Sequence, residues 1–77
     1  MSARPIDETI LSFVGSRWRK VAMVIAKVTD IMSDDLPQGD EGYQVVARHI
    51  ESLVSDGRLV AQGNTKNWRF SEVRRPN

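Results

Sequence analysis

Apolar residues recur along this chain at helical spacing three times over, and then at the two-residue spacing of a strand. Ile6, Ile10, Phe13 and Val14 form the first helical stripe and predict a helix over about residues 7–14. Asp7 is placed to cap it, Ile6 to pack on Leu11 across its first turn, and Gly15 to stop it. Trp18, Val21, Ala22, Ile25, Val28 and Met32 form the second stripe and predict a helix over about 17–32 that buries those side chains. Tyr43, Val46, Ala47, Ile50, Leu53 and Val54 form the third, over about 40–56, with Asp40 as its cap and Gly57 as its left-handed end. The intervening "SDDLPQGD", residues 33–40, mixes Pro, Gly and three acids and reads as a loop.

After Gly57 the period shortens. "RLVAQ", residues 58–62, puts Leu59 and Ala61 on one face. "NWRFSEV", residues 67–73, puts Trp68, Phe70 and Glu72 on one face and Arg69, Ser71 and Val73 on the other. "GNTK", residues 63–66, supplies the turn. A hairpin over about 58–73 is marginal alone in water, so it must pack on the helices, with Trp68 filling the gap between them. Three helices followed by a hairpin is the winged-helix order. The expected class is therefore mainly α with a small β-hairpin, a single winged-helix-like domain over 1–77. Two departures accompany that expectation. The link between the first two helices is too short for the extra strand many winged helices carry there, and the next loop exceeds the usual three or four residues of a helix-turn-helix.

Length and composition narrow the picture. At 77 residues, with 40% apolar and 27% charged positions, the chain makes one globular domain. It has no cysteine, hence no disulfide and no thiolate metal site, which fits a cytoplasmic protein. The longest apolar run, Val21 to Ala26, is too short to span a membrane, and Asp7, Glu8 and Arg17 interrupt any signal-peptide pattern. The formal net charge is only +1, less basic than a dedicated nucleic-acid domain usually is.

Residues 45–75, "VVARHIESLVSDGRLVAQGNTKNWRFSEVRR", resemble a family of uncharacterised bacterial domains with an Arg-containing helix followed by "LVSDGRL", "AQG" and "RFSEVR". "WRKVAMVIAKV", residues 18–28, is similar in character to the family's second helix. The resemblance implies a winged-helix-like fold and a bacterial, cytoplasmic setting, often as the C-terminal module of a longer protein behind an α/β domain. No such domain precedes these residues, which implies a free-standing version or a fragment. The family brings no established activity and therefore no site residues.

Three patches carry candidate chemistry. In "SRWRK", Arg17, Arg19 and Lys20 fall in the first turn of the predicted second helix, where the dipole disfavours cations, while Asp30, Asp34 and Asp35 crowd its other end. Arg17, Lys20 and Lys27 share an arc of roughly 80°. With the free amides of a first turn they would hold phosphate. The competing reading is a set of solvated side chains whose stems cover Trp18 and Val24. In the wing, Lys66 and Arg69 flank the tip and Arg74 and Arg75 follow it, suited to phosphates or a minor groove. The competing reading is charge that protects a strand edge, with Arg58 and Glu72 paired across the hairpin. On the outer face of the third helix, Gln44, Arg48 and Ser52 are types that read base edges, but Asp40, Glu41 and Glu51 fit DNA poorly, and a solvated or protein-contact face competes. His49 reads as a packing or surface residue, and Trp18 as core.

The acidic loop lacks the alternate spacing and closing glutamate of a calcium loop, so no metal is expected. There is no phosphate-cradling glycine motif, and one histidine builds no nucleophilic triad. No cofactor or small-molecule ligand is implied. The residues point to a non-enzymatic binding module. One expectation is DNA held through Arg17, Arg19, Lys20, Lys66 and Arg69, with Gln44 and Arg48 at the bases. The alternative is a protein-interaction or homodimer module with no nucleic-acid role, using Val24, Ile31 and Val45, which fall outside the core stripes.

Overall fold

In the computed structural model, which describes residues 5–63 and 71–76, the elements run α1 (Pro5–Ser12), β1 (Arg19–Lys20), α2 (Val21–Ile31), α3 (Asp40–Ser55), β2 (Val60–Gln62) and β3 (Glu72–Arg74). Three helices pack beside an antiparallel sheet of order β1-β3-β2, a mainly helical α+β arrangement compatible with a winged-helix-like fold.

The first helix sits two residues earlier than its stripe predicts. Pro5 suits the opening position, where no amide partner is needed. Asp7 lies inside the helix instead of capping it. The last turn tightens, with the Phe13 and Val14 amides donating to the Ile10 and Leu11 carbonyls three residues back.

The second helix corrects the sequence reading most. It begins at Val21, not Arg17, because Arg19 and Lys20 form a short strand against β3. The link judged too short for a strand therefore contains one. Trp18, expected in the core, is 36% exposed. Val24, expected outside the core, is buried, along with Val21, Ile25 and Val28. Removing four residues from the helix start explains the Trp18 error: it no longer lies on the helical stripe.

The loop over residues 32–39 turns back through Leu36, which is buried despite its acidic neighbours. α3 is capped by Gly39, at φ 67°, rather than by Asp40. Gly42 lies so near the loop that a Cβ there would collide with the Pro37 carbonyl oxygen. α3 ends as predicted. Gly57 takes φ 81°, its amide donates to the Val54 carbonyl, and the Arg58 amide donates to the Leu53 carbonyl. That pair of bonds satisfies carbonyls a helix end leaves open. Val46, Ile50 and Leu53 bring α3 into the core with Ile10 and Val14, and Leu59 and Val73 close it from the sheet. Tyr43 is exposed, and Val45 is half-buried against the core.

The parity of the last strand is the reverse of that expected. Ser71 and Val73 are buried and Glu72 points outward. Trp68 and Phe70, whose apolar character set the expected parity, lie outside the described residues.

Candidate nucleic-acid interface

The register of the sheet positions the basic segment. Arg19 stands opposite Val73, and Lys20 opposite Glu72; across β3, Val60, Ala61 and Gln62 face Arg74, Val73 and Glu72. Directly opposed residues share a face, and faces alternate along a strand. Arg19 therefore sits on the core side of an edge strand, where it escapes sideways into a groove lined by Ser12, Phe13, Met23 and Lys27. Lys20 belongs to the outer face with Glu72 and Gln62. The Gln62 amide donates to the Glu72 carboxylate at 2.5 Å, so the partner of Glu72 across the strands is Gln62, four residues beyond the expected Arg58. Trp18, one residue before β1, falls level with Arg74, whose guanidinium lies 5.0 Å over its ring. Arg17 is exposed on the bend that leads into this segment.

The phosphate cradle expected at the second helix start is not built there. Lys20 is the N-cap residue, in extended conformation at φ −65°, ψ 130°, and makes no side-chain cap bond. The Val21 amide already donates to the Ser71 carbonyl at 3.0 Å. Arg17, Arg19 and Lys20 thus precede the helix rather than occupying its first turn. The apparent breach of the charge rule disappears at this end and survives only at the other, where Asp30 lies in the last turn.

One arginine of the basic tail is structural. The Arg75 Nε donates to the Val14 carbonyl at 2.6 Å, its Nη2 to the Leu11 carbonyl at 2.5 Å, and its backbone amide to the Gly15 carbonyl at 2.8 Å. A cation on the open carbonyls of a helix C-terminus satisfies them and complements the dipole. His49, half-buried, holds its Nδ1 2.9 Å from the Asp7 Oδ1 and so ties α3 to α1. Neither link carries a local sequence signal, since each joins residues more than forty apart.

The candidate residues separate into two groups. Gln44 and Arg48 line a groove with Pro37, Asp40, Glu41 and Val45, among carboxylates. Arg17, Arg19 and Lys20 lie at the opposite end of α2. Lys66 and Arg69 lie outside the described residues. The division extends along the sequence. No acid occurs between Glu8 and Asp30, and no lysine or arginine between Lys27 and Arg48. Half of the chain's 10 carboxylates, Asp30, Asp34, Asp35, Asp40 and Glu41, fall in that second stretch. A net charge of +1 therefore conceals a polarised molecule, basic where α2 begins and acidic where it ends. Among the described residues, no group of three or more His, Asp or Glu side chains is placed to hold a metal ion, and no helix is long and apolar enough to cross a membrane.

Comparison with known proteins adds kinship. The chain is 38% identical over 74 residues to the uncharacterised protein YjeN of Escherichia coli strain K12, a match covering 92% of this chain and 71% of that protein. The chain belongs to the YjeN family. The match spans nearly the whole chain, beyond the stretch whose motifs suggested a bacterial relative, and that relative is bacterial. No protein-family model and no solved structure matches the chain. Family membership supplies no activity and no site residues, so the functional reading rests on the geometry.

Proposed function

We propose that this domain is a non-enzymatic, cytoplasmic binding module that holds nucleic acid by its phosphates at the basic end of α2. The carrying observation is the segment Arg17 to Lys20. Three exposed cations occur in four consecutive residues, and no carboxylate intervenes in sequence from Glu8 to Asp30. Arg19 and Lys20 leave the strand on opposite sides, an arrangement that can straddle a phosphate backbone. Trp18, between Arg17 and Arg19, supports a stacking contact, its ring already paired with the Arg74 guanidinium. The contacts are positional and carry no base readout. Gln44 and Arg48 are poorly suited to base edges beside Asp40 and Glu41, so binding is expected to be tolerant of sequence. Lys66 and Arg69 remain contributors on sequence grounds alone.

The test is binding to labelled random-sequence duplex DNA at low and moderate salt, with an Arg17→Ala/Arg19→Ala/Lys20→Ala variant beside the parent. Salt-sensitive binding that the variant loses supports the reading. Equal affinity of the variant removes this segment from it.

A second reading, a protein-contact module, is favoured by a different observation. Met23, Ala26 and Ile31 are exposed on α2, with Ile31 at 63%. A role as a module appended beside an α/β domain, which the family resemblance implies, belongs with this reading.

A further inference from the structure

The outer face of α2 is apolar at its edges, with Met23 between Asp30 and Lys27 along its middle. Met23, Ala26, Lys27, Asp30 and Ile31 are all exposed, and at ~100° per residue they share an arc of roughly 140°. Met23 is 48% exposed and Ile31 63%, two large apolar side chains on the one outer face. The helix also runs from the basic end of the molecule to the acidic end.

These features select one occupant. We propose that a second copy of this chain docks antiparallel along α2, through a two-fold axis near its middle. The proposal rests on the protein-contact reading and names its partner. In that arrangement Lys27 of each copy meets Asp30 of the other across the seam, while Ala26 and Ile31 flank it on opposite edges. The Arg19–Lys20 end of each copy lies toward Asp34 and Asp35 of its neighbour. A parallel arrangement would set lysine against lysine and acidic loop against acidic loop, at a cost of several kcal/mol for like charges in contact. Antiparallel pairing about a two-fold axis is self-complementary and closes without leaving a free face. A seam of three helical turns is small, below about 1,200 Å² in total, so the dimer is expected to be weak and in rapid exchange. Nucleic acid and the second copy's acidic loop would draw on the same cations, so the two partners are expected to compete.

Sedimentation equilibrium of the full chain over a wide concentration range, at low salt, tests this. The expected result is a mass that rises with concentration toward that of a dimer. Lys27→Asp should weaken association at least about tenfold. Lys27→Asp/Asp30→Lys, which rebuilds both ion pairs with reversed sign, should restore it. Ile31→Ser, an exposed substitution that spares the fold, should weaken it as well. A monomer at every concentration overturns the proposal. A dimer indifferent to all the α2 variants overturns this seam while leaving a protein-contact module in place. Failure of the double exchange to restore a folded variant overturns the antiparallel register.

Discussion

The two ends of α2 are joined to the rest of the molecule in different ways. At its start, the Val21 amide reaches the Ser71 carbonyl, β1 pairs with β3, and Arg75 contacts Val14 and Leu11 across sequence separations of 61 and 64 residues. At its end, the bonds are local. The Met32 amide donates to the Val28 carbonyl, the Asp35 amide to the Met32 carbonyl, and the Gly42 and Tyr43 amides to the Gly39 carbonyl. Leu36 anchors this loop in the core, and Gly42 admits its close approach. The distant junction leaves its cations exposed above buried Val14, Val21 and Val73; the local one buries Leu36 alone among residues 33–41 and exposes its acids, which either complement a helix start, as Asp40 and Glu41 do in α3, or oppose a helix end, as Asp30 does in α2. The contrast assigns binding chiefly to the basic end, and makes stability depend on distant partners there and on a local anchor at the acidic end.

That division can be broken by substitution. Leu36→Ala should cost the most, about 3 kcal/mol, because it empties a buried site that the loop cannot fully collapse into. Thermal or urea unfolding measures it, and a cost well under 1 kcal/mol would show that the loop is not anchored there. Gly42→Ala should cost about 2 kcal/mol, since the new Cβ meets backbone rather than a flexible side chain. At the other end, Arg75→Ala should cost about 1 kcal/mol, its charged bonds to α1 being discounted for solvent exposure. A loss larger than that of Gly42→Ala would reverse the comparison. Trp18→Ala should change stability by no more than roughly 0.5 kcal/mol, the worth of an exposed cation–π contact. If it unfolds the protein instead, Trp18 belongs to the core after all.

The same contrast explains what could be read from the sequence. The acidic end was legible because its determinants are neighbours: the apolar stripe of α2 stops at Met32, and Pro37 and Gly39 punctuate the loop; the far end of α3 was legible for the same reason, Gly57 taking the predicted left-handed backbone. Even so, Leu36 passed as a loop residue, although one leucine among acids signals a segment pinned to the core. The basic end was illegible because a two-residue strand has no periodicity, and its partner lies some fifty residues away. The one local clue was the run of cations in "SRWRK". Cations in a first turn oppose the helix dipole, and the resolution is that the helix starts later, not that the site is functional by virtue of that breach. Parity in β3 was misjudged because Trp68 and Phe70 dominate the alternation, whereas the side facing the core is that of Ser71 and Val73. Of the candidate site, Arg17, Arg19 and Lys20 are exposed, but they lead into the helix through a strand instead of forming its first turn. Gln44 and Arg48 share the exposed outer face predicted for them, yet they stand among carboxylates rather than with the other cations.

On the function proposed above, charge polarity along α2 gives the molecule one end suited to phosphate. That reading is tested most directly by measuring Kd for random-sequence duplex DNA across a salt series, for the parent, for Arg17→Ala/Arg19→Ala/Lys20→Ala and for Arg48→Ala. Each phosphate contact contributes about 0.9 to the slope of log K against log salt. The triple variant is expected to flatten the slope by about two to three such increments, and Arg48→Ala to leave it nearly unchanged. Absence of binding at low salt, or a slope that Arg48→Ala flattens and the triple variant does not, would contradict it.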